Sequence, residues 1–129
     1  MIALDTNVVV RLLVDDDLEQ TRRARKLIEK APVLVVPTVL LETEWVLRGA
    51  YKVGRERIVQ SLRSLLGLPE LSVGSADAVG QALEWFERGL DFADSLHLAL
   101  ATDAEKFATF DARLAIRASR ITARAVFVP

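Results

Sequence analysis

The chain has no cysteine among its 129 residues. That excludes disulfides and thiolate zinc sites, and leaves nothing that argues for export. It has one histidine, His97, too few for an imidazole-rich metal site. Hydrophobic residues make up 51% of the chain, yet no apolar run approaches the roughly 18 residues needed to span a bilayer. The start, Met1-Ile2-Ala3-Leu4-Asp5, lacks the basic and long apolar regions of a signal peptide. A soluble, cytoplasmic protein is the expectation, with no membrane partner. The formal net charge is −1, so no global field draws the chain to nucleic acid. There are no repeats, low-complexity tracts or linkers, and the length suits a single domain.

What is present is a set of carboxylates in apolar settings. Asp5 follows Ile2-Ala3-Leu4, and Glu42 follows Val39-Leu40-Leu41. Asp94 sits between Phe92-Ala93 and the run Leu96 to Ala101, and Asp111 follows Phe107-Ala108-Thr109-Phe110. A carboxylate buried in such surroundings must neutralise or find a partner. Few basic residues lie close in sequence, and a shared divalent cation is the simplest partner. At an effective dielectric near 20, two carboxylates about 5 Å apart repel by roughly 3 kcal/mol, so the cluster is a liability without a cation. Oxygen donors, without cysteine and with one histidine, select Mg2+ or Mn2+ over Zn2+.

Short β-like runs alternate with longer helical patterns. Strands are expected at Ile2–Leu4, Val33–Val36, Leu71–Val73, Ala108–Phe110 and Val126–Val128. Helices are expected at Leu18–Lys30, Thr38–Lys52, Arg55–Leu66, Ala76–Arg88, Asp91–Thr102 and Asp111–Ser119. Asp17 and Ser75 read as N-caps, Pro37 as a helix start, and Gly89 as a helix stop. Asn7–Val14 is ambiguous, because Val8-Val9-Val10 favours a strand by propensity; it is assigned to a helix. The alternation predicts an α/β fold with a largely parallel sheet covered by helices. Ligands in such folds bind beyond the carboxyl ends of the strands, and there Asp5 and Asp111 are placed.

Each acid also has an ordinary explanation. Asp5 and Asp111 suit helix N-caps, and so does Asp91, with Asp94 at the third helical position of a capping box. On the helix from Thr38, a phase that buries Val39, Val46 and Ala50 puts Glu42 at the border of the buried face. The same phase turns Glu44 outward, four residues before Arg48, as a surface ion pair. His97, on a helix apolar nearly all round, reads as a packed core residue. Two basic groups, Arg48-Lys52-Arg55-Arg57 and Arg113-Arg117-Arg120-Arg124, suit phosphates around an acidic centre; charge alone favours solvated helix surfaces.

Four motifs in order carry a family resemblance: Leu4-Asp5-Thr6-Asn7; Glu42 followed by Trp45-Val46-Leu47; Asp91-Phe92-Ala93-Asp94-Ser95-Leu96-His97-Leu98-Ala99; and Thr109-Phe110-Asp111. Together they resemble the PIN-domain nucleases, and within them the VapC-type ribonuclease toxins of toxin–antitoxin pairs. The resemblance covers essentially the whole chain, and the Asp91-to-Ala99 block is its most distinctive part. It implies a three-layer α/β/α sandwich around a central, mostly parallel five-stranded sheet. Carried over residue by residue, the acidic metal site falls on Asp5, Glu42, Asp94 and Asp111, with Asn7, Asp91 and Thr109 in supporting positions. The resemblance also implies Mg2+- or Mn2+-dependent cleavage of single-stranded RNA, a homodimer, and inhibition by a small antitoxin protein.

Two other classes open with a strand-end aspartate. A haloacid-dehalogenase-like phosphatase wants a second aspartate two residues later, where this chain has Asn7. A receiver-like signalling domain wants an acidic pair at the first strand end and a late lysine after a strand. This chain has one acid there, and Lys106, its last lysine, is expected before a strand.

Overall fold

The computed structural model describes all residues from Met1 to Pro129. Five strands and seven helices alternate in the order β1 (Ile2–Ala3), α1 (Thr6–Leu13), α2 (Leu18–Lys30), β2 (Val33–Val35), α3 (Pro37–Gly49), α4 (Arg55–Leu66), β3 (Leu71–Val73), α5 (Ala76–Glu87), α6 (Phe92–Leu100), β4 (Lys106–Ala108), α7 (Ala112–Ile121) and β5 (Ala125–Phe127). Every strand pairing is parallel, as the alternation predicts. The strands divide into a three-stranded sheet of order β1-β2-β3 and a two-stranded ladder β4-β5, instead of joining in one sheet of five. The chain forms two compact units, Met1–Ala76 and Asp77–Pro129.

In the first unit, Ile2 pairs with Val33 and Ala3 with Leu34, and Val33 to Val35 pair in turn with Leu71 to Val73. The Leu4 N–H continues the ladder to the Leu34 carbonyl at 2.9 Å, so Asp5 emerges directly at the carboxyl end of β1. Central β2 is the best covered strand, with Val33 and Val35 fully buried. The same unit buries Val9, Leu40, Leu47, Ile58 and Leu62, all essentially inaccessible. Burial of such side chains contributes about 1.5–3 kcal/mol each, which is what holds α1, α3 and α4 in place. The ambiguous valine run is helical: Val9 and Val10 go into the core, and packing overrides the β preference of the branched side chains.

The acidic run Asp15-Asp16-Asp17 is absorbed locally. Asp16 pairs with Arg11 and accepts a hydrogen bond from the Tyr51 hydroxyl, Asp15 pairs with Arg25, and Asp17 caps α2 by accepting from the Gln20 N–H.

In the second unit, α5 ends in a left-handed turn at Gly89, φ 116°. The Gly89 N–H bonds the Phe86 carbonyl and the Leu90 N–H bonds the Trp85 carbonyl, both at 3.0 Å, a Schellman closure that a glycine permits without Cβ strain. The turn drops Leu90 into the core and delivers Asp91 as the N-cap of α6. Phe86 and Phe92 then meet edge to face with ring centroids 5.2 Å apart. Ser75 differs from expectation: it takes a positive φ of 52°, not the extended backbone usual for a cap. Strands β4 and β5 lie one to two residues earlier than expected, because Lys106 opens β4 while Phe110 falls outside it. No helix is long and apolar enough to cross a membrane.

Candidate metal centre

Each sequence-predicted acid sits at the start of a helix or on one, for an identifiable local reason. Asp5 is the N-cap of α1, its Oδ1 accepting from the Thr6 N–H at 2.8 Å. Asp111 is the N-cap of α7, with Oδ1 accepting from the Arg113 and Leu114 N–H groups at 3.0 and 3.1 Å. The Thr109 hydroxyl accepts from the Asp111 N–H at 3.0 Å and fixes the turn, which gives the predicted supporting residue a concrete task. Asp91 caps α6 by accepting from the Asp94 N–H at 3.2 Å. In each cap one carboxylate oxygen accepts from the helix, leaving the second for other partners. Asn7 is exposed on the first turn of α1 and borders an open cavity of about 620 Å³ with Arg11, Gln20 and Arg23.

Asp94 differs from the caps. It is half buried, at the third residue of α6, and its carboxylate makes neither an ion pair nor a hydrogen bond. Only the first half of the expected capping box exists, so the side chain is not used in closing the helix. Burial pushes the Asp94 carboxyl above its ordinary value, the charges of Asp91 and Asp111 push it further, and His97 acts the other way. Asp91 and Asp111 therefore both lie within electrostatic reach of Asp94.

The burial expectations need correction. Asp5, Glu42, Asp91 and Asp111 are exposed, so the desolvation argument made for all the acids holds for Asp94 alone. The phase inferred for α3 is also wrong. Its buried residues are Leu40, Thr43, Glu44 and Leu47, whereas Val39 and Val46 are only partly covered and Ala50 is exposed. Glu44 is 2% exposed and Glu42 faces solvent, the reverse of what was expected. The expected ion pair is present, with Arg48 Nε donating to Glu44 Oε2 at 3.0 Å, but its carboxylate is buried instead of lying at the surface. His97 is exposed too, since α6 turns Phe92, Ser95, Leu96, Leu98 and Ala99 inward. One feature was missed altogether. The Ser95 hydroxyl is fully buried beside Asp94 in sequence and has no hydrogen-bond partner, a state that costs about 1–3 kcal/mol.

The donor chemistry fits a hard divalent cation. The four predicted ligands are carboxylates, none is taken by a lysine or arginine, and Asp94 is held against like charge. Within neither unit do three or more His, Asp or Glu side chains group closely enough to hold a metal ion by themselves.

The family model described as PIN domain matches residues 2–120. The chain belongs to the PIN domain family. No curated protein matches it. Among solved structures, the PIN domain is similar to the sarcin–ricin loop-cleaving toxin VapC20 of Mycobacterium tuberculosis, at 23% identity over 82% of this chain and 86% of that one, with a TM-score of 0.44. It is also similar to VapBC2 of Rickettsia felis, solved bound to a DNA fragment from their promoter, at 19% identity over 99% and 98% of the two chains, with a TM-score of 0.39.

Proposed function

We propose that this PIN domain is a metal-dependent endoribonuclease that hydrolyses phosphodiester bonds of single-stranded RNA, and that it is the toxin of a type II toxin–antitoxin pair. Membership of the family over residues 2–120 supports the reading, together with the four motifs that match its acidic site in order. The observation that carries it is Asp94. A half-buried carboxylate with no hydrogen bond and no basic partner, set against the charges of Asp91 and Asp111, is costly in a protein that has no cation to bind.

Asp5, Glu42, Asp94 and Asp111 would hold Mg2+ or Mn2+. When bound, the cation supplies an activated water and neutralises charge on the leaving oxygen. The chain's own residues do the positioning. Asp91 fixes the first turn of α6 and so the backbone under Asp94. Thr109 fixes the turn that presents Asp111, and the helix N–H groups hold one oxygen of that carboxylate in place. Asn7 is in the first turn of the helix that Asp5 caps, where its exposed amide would meet the substrate. The phosphatase and receiver readings lose ground on the residues alone: Asn7 replaces the second aspartate, and Lys106 opens β4 instead of following it.

A cytoplasmic location, a homodimer and a small antitoxin partner complete the proposal. Trp45, 65% exposed on α3, is an aromatic surface of the kind a protein partner covers. After brief expression in cells, sequencing of RNA 5′ ends should show new ends inside unpaired segments, absent from a Glu42→Gln control. Equal end profiles with and without the protein would remove the endoribonuclease reading.

A further inference from the structure

The second basic group resolves into two different things. Arg124 is a structural residue, donating to the carbonyls of Ala101 and Ala104. Arg113, Arg117 and Arg120 are exposed and have no acid or carbonyl partner. Of the other arginines, Arg11, Arg22, Arg25 and Arg48 each face a carboxylate, while exposed Arg23 and Arg57 stand singly on different helices. Helix α7 contains no acid at all, so nothing on it can neutralise the three.

Their spacing puts them on one line. At 100° per residue, positions 113, 117 and 120 fall within an arc of about 60°, and they span about 10 Å along the axis. A stacked single strand rising about 3.4 Å per nucleotide presents about three phosphates over that length. The stripe begins two residues after Asp111, and its amino-terminal end is the positive end of the helix dipole.

Directly before Asp111 stands Phe110, 86% exposed and the most exposed large apolar side chain of the molecule. It lies outside β4 and makes no ring contact with another aromatic. An exposed ring followed by a line of unpaired cations is the combination by which proteins hold single strands: bases stack on the ring and phosphates track the charge.

We propose that Phe110 and the Arg113-Arg117-Arg120 stripe form a binding surface for single-stranded RNA, with one base stacked on Phe110 and successive phosphates along α7. This rests on the nuclease reading for its choice of ligand, but it is a claim about affinity and not about cleavage. The surface lies beside Asp111 in sequence, so a strand held there passes the candidate metal ligand.

The test is fluorescence anisotropy of the full chain with a labelled 12-nucleotide oligouridine, in excess EDTA and across a salt series. For wild type, the logarithm of affinity should fall with the logarithm of salt. In Arg113→Ala/Arg117→Ala/Arg120→Ala the slope should become shallower by about 2, close to 0.7 per lost phosphate contact, with affinity at least tenfold weaker at low salt. The triple lysine variant should keep most of the slope. Phe110→Ala should weaken binding about fivefold to a hundredfold with the slope unchanged, and Phe110→Trp should restore it. All four side chains are at the surface, so melting temperatures report whether each variant is folded. The matching deoxy strand should bind comparably, since neither contact reads the 2′-hydroxyl. A triple alanine variant that binds RNA like wild type at every salt overturns the stripe, and an unaffected Phe110→Ala overturns the stacking site. If the triple variant instead loses binding of a polyglutamate peptide while keeping that of RNA, the stripe serves an acidic protein and the proposal is wrong. Because cleavage plays no part in this measurement, failure of the nuclease reading would leave its outcome readable.

Discussion

Glu42→Gln should lose RNA-cleaving activity by orders of magnitude while remaining folded, and Glu44→Gln should keep activity near wild type while losing stability. One residue separates them on α3, yet one faces solvent and the other is buried. Glu42 is exposed and has no basic partner, so the substitution removes the charge of a proposed ligand and little else. Its shape is retained, which isolates the charge. Glu44 is 2% exposed and bonded to Arg48 at 3.0 Å. A hydrogen bond between charged groups contributes about 1.5–3 kcal/mol, so Glu44→Gln should cost roughly that much in urea unfolding. This is larger than the few tenths expected had the pair been exposed. Both variants must be assayed at the same Mg2+ concentration, well below their unfolding temperatures. If Glu44→Gln is the inactive variant and Glu42→Gln the active one, the resemblance has been carried to the wrong residue and the site assignment fails.

Metal should stabilise the fold, and Asp94→Asn should blunt the effect. A ligand at 100 times its dissociation constant adds about 2.7 kcal/mol to a native state that alone binds it. For a chain of this length that is a shift in Tm on the order of 10 °C. Without metal the sign reverses. The folded chain holds the Asp94 carboxyl above its ordinary value of 3.8, so the ionised form is a cost to folding. That cost is fully present above the folded pKa and fades as pH falls towards the unfolded value. Metal-free Asp94→Asn should therefore melt higher than wild type at neutral pH, with the gap closing as the solution is acidified. With saturating Mn2+ the order should invert. Calorimetric scans at two pH values, each with and without metal, give all the comparisons. A wild-type Tm indifferent to saturating metal, or an Asn variant that responds as strongly, would contradict the proposed role of Asp94.

Much of this was legible in the residues because local rules and packing agree there. Helices α2 and α4 begin and end where periodicity and capping place them, and Asp17 caps as its type suggests. The caps Asp5, Asp91 and Asp111 follow from aspartate preceding an apolar periodic run. What misled is equally specific. The α3 phase went wrong at Glu44, because a charged residue with an i+4 partner was assigned to the surface, whereas the partner is what allows it to be buried. The apolar neighbours of His97 suggest a core position, but the inward positions of α6 leave 97 and 100 facing out. Strand β4 was placed too late because Phe110 looks like a strand residue by propensity, and its exposure is a tertiary fact. The candidate site was legible as a set of residues through the resemblance. The unpartnered Ser95 hydroxyl and the line of arginines on α7 became visible only once the helices had a phase.

The most direct test of the central claim is cleavage of a single-stranded RNA by the purified chain with 5 to 10 equivalents of chelator over metal, against the same protein in Mg2+ or Mn2+, at roughly millimolar ion. The account predicts cleavage with the ion, none with EDTA, and recovery when the ion is returned in excess. Undiminished cleavage in excess EDTA would contradict it.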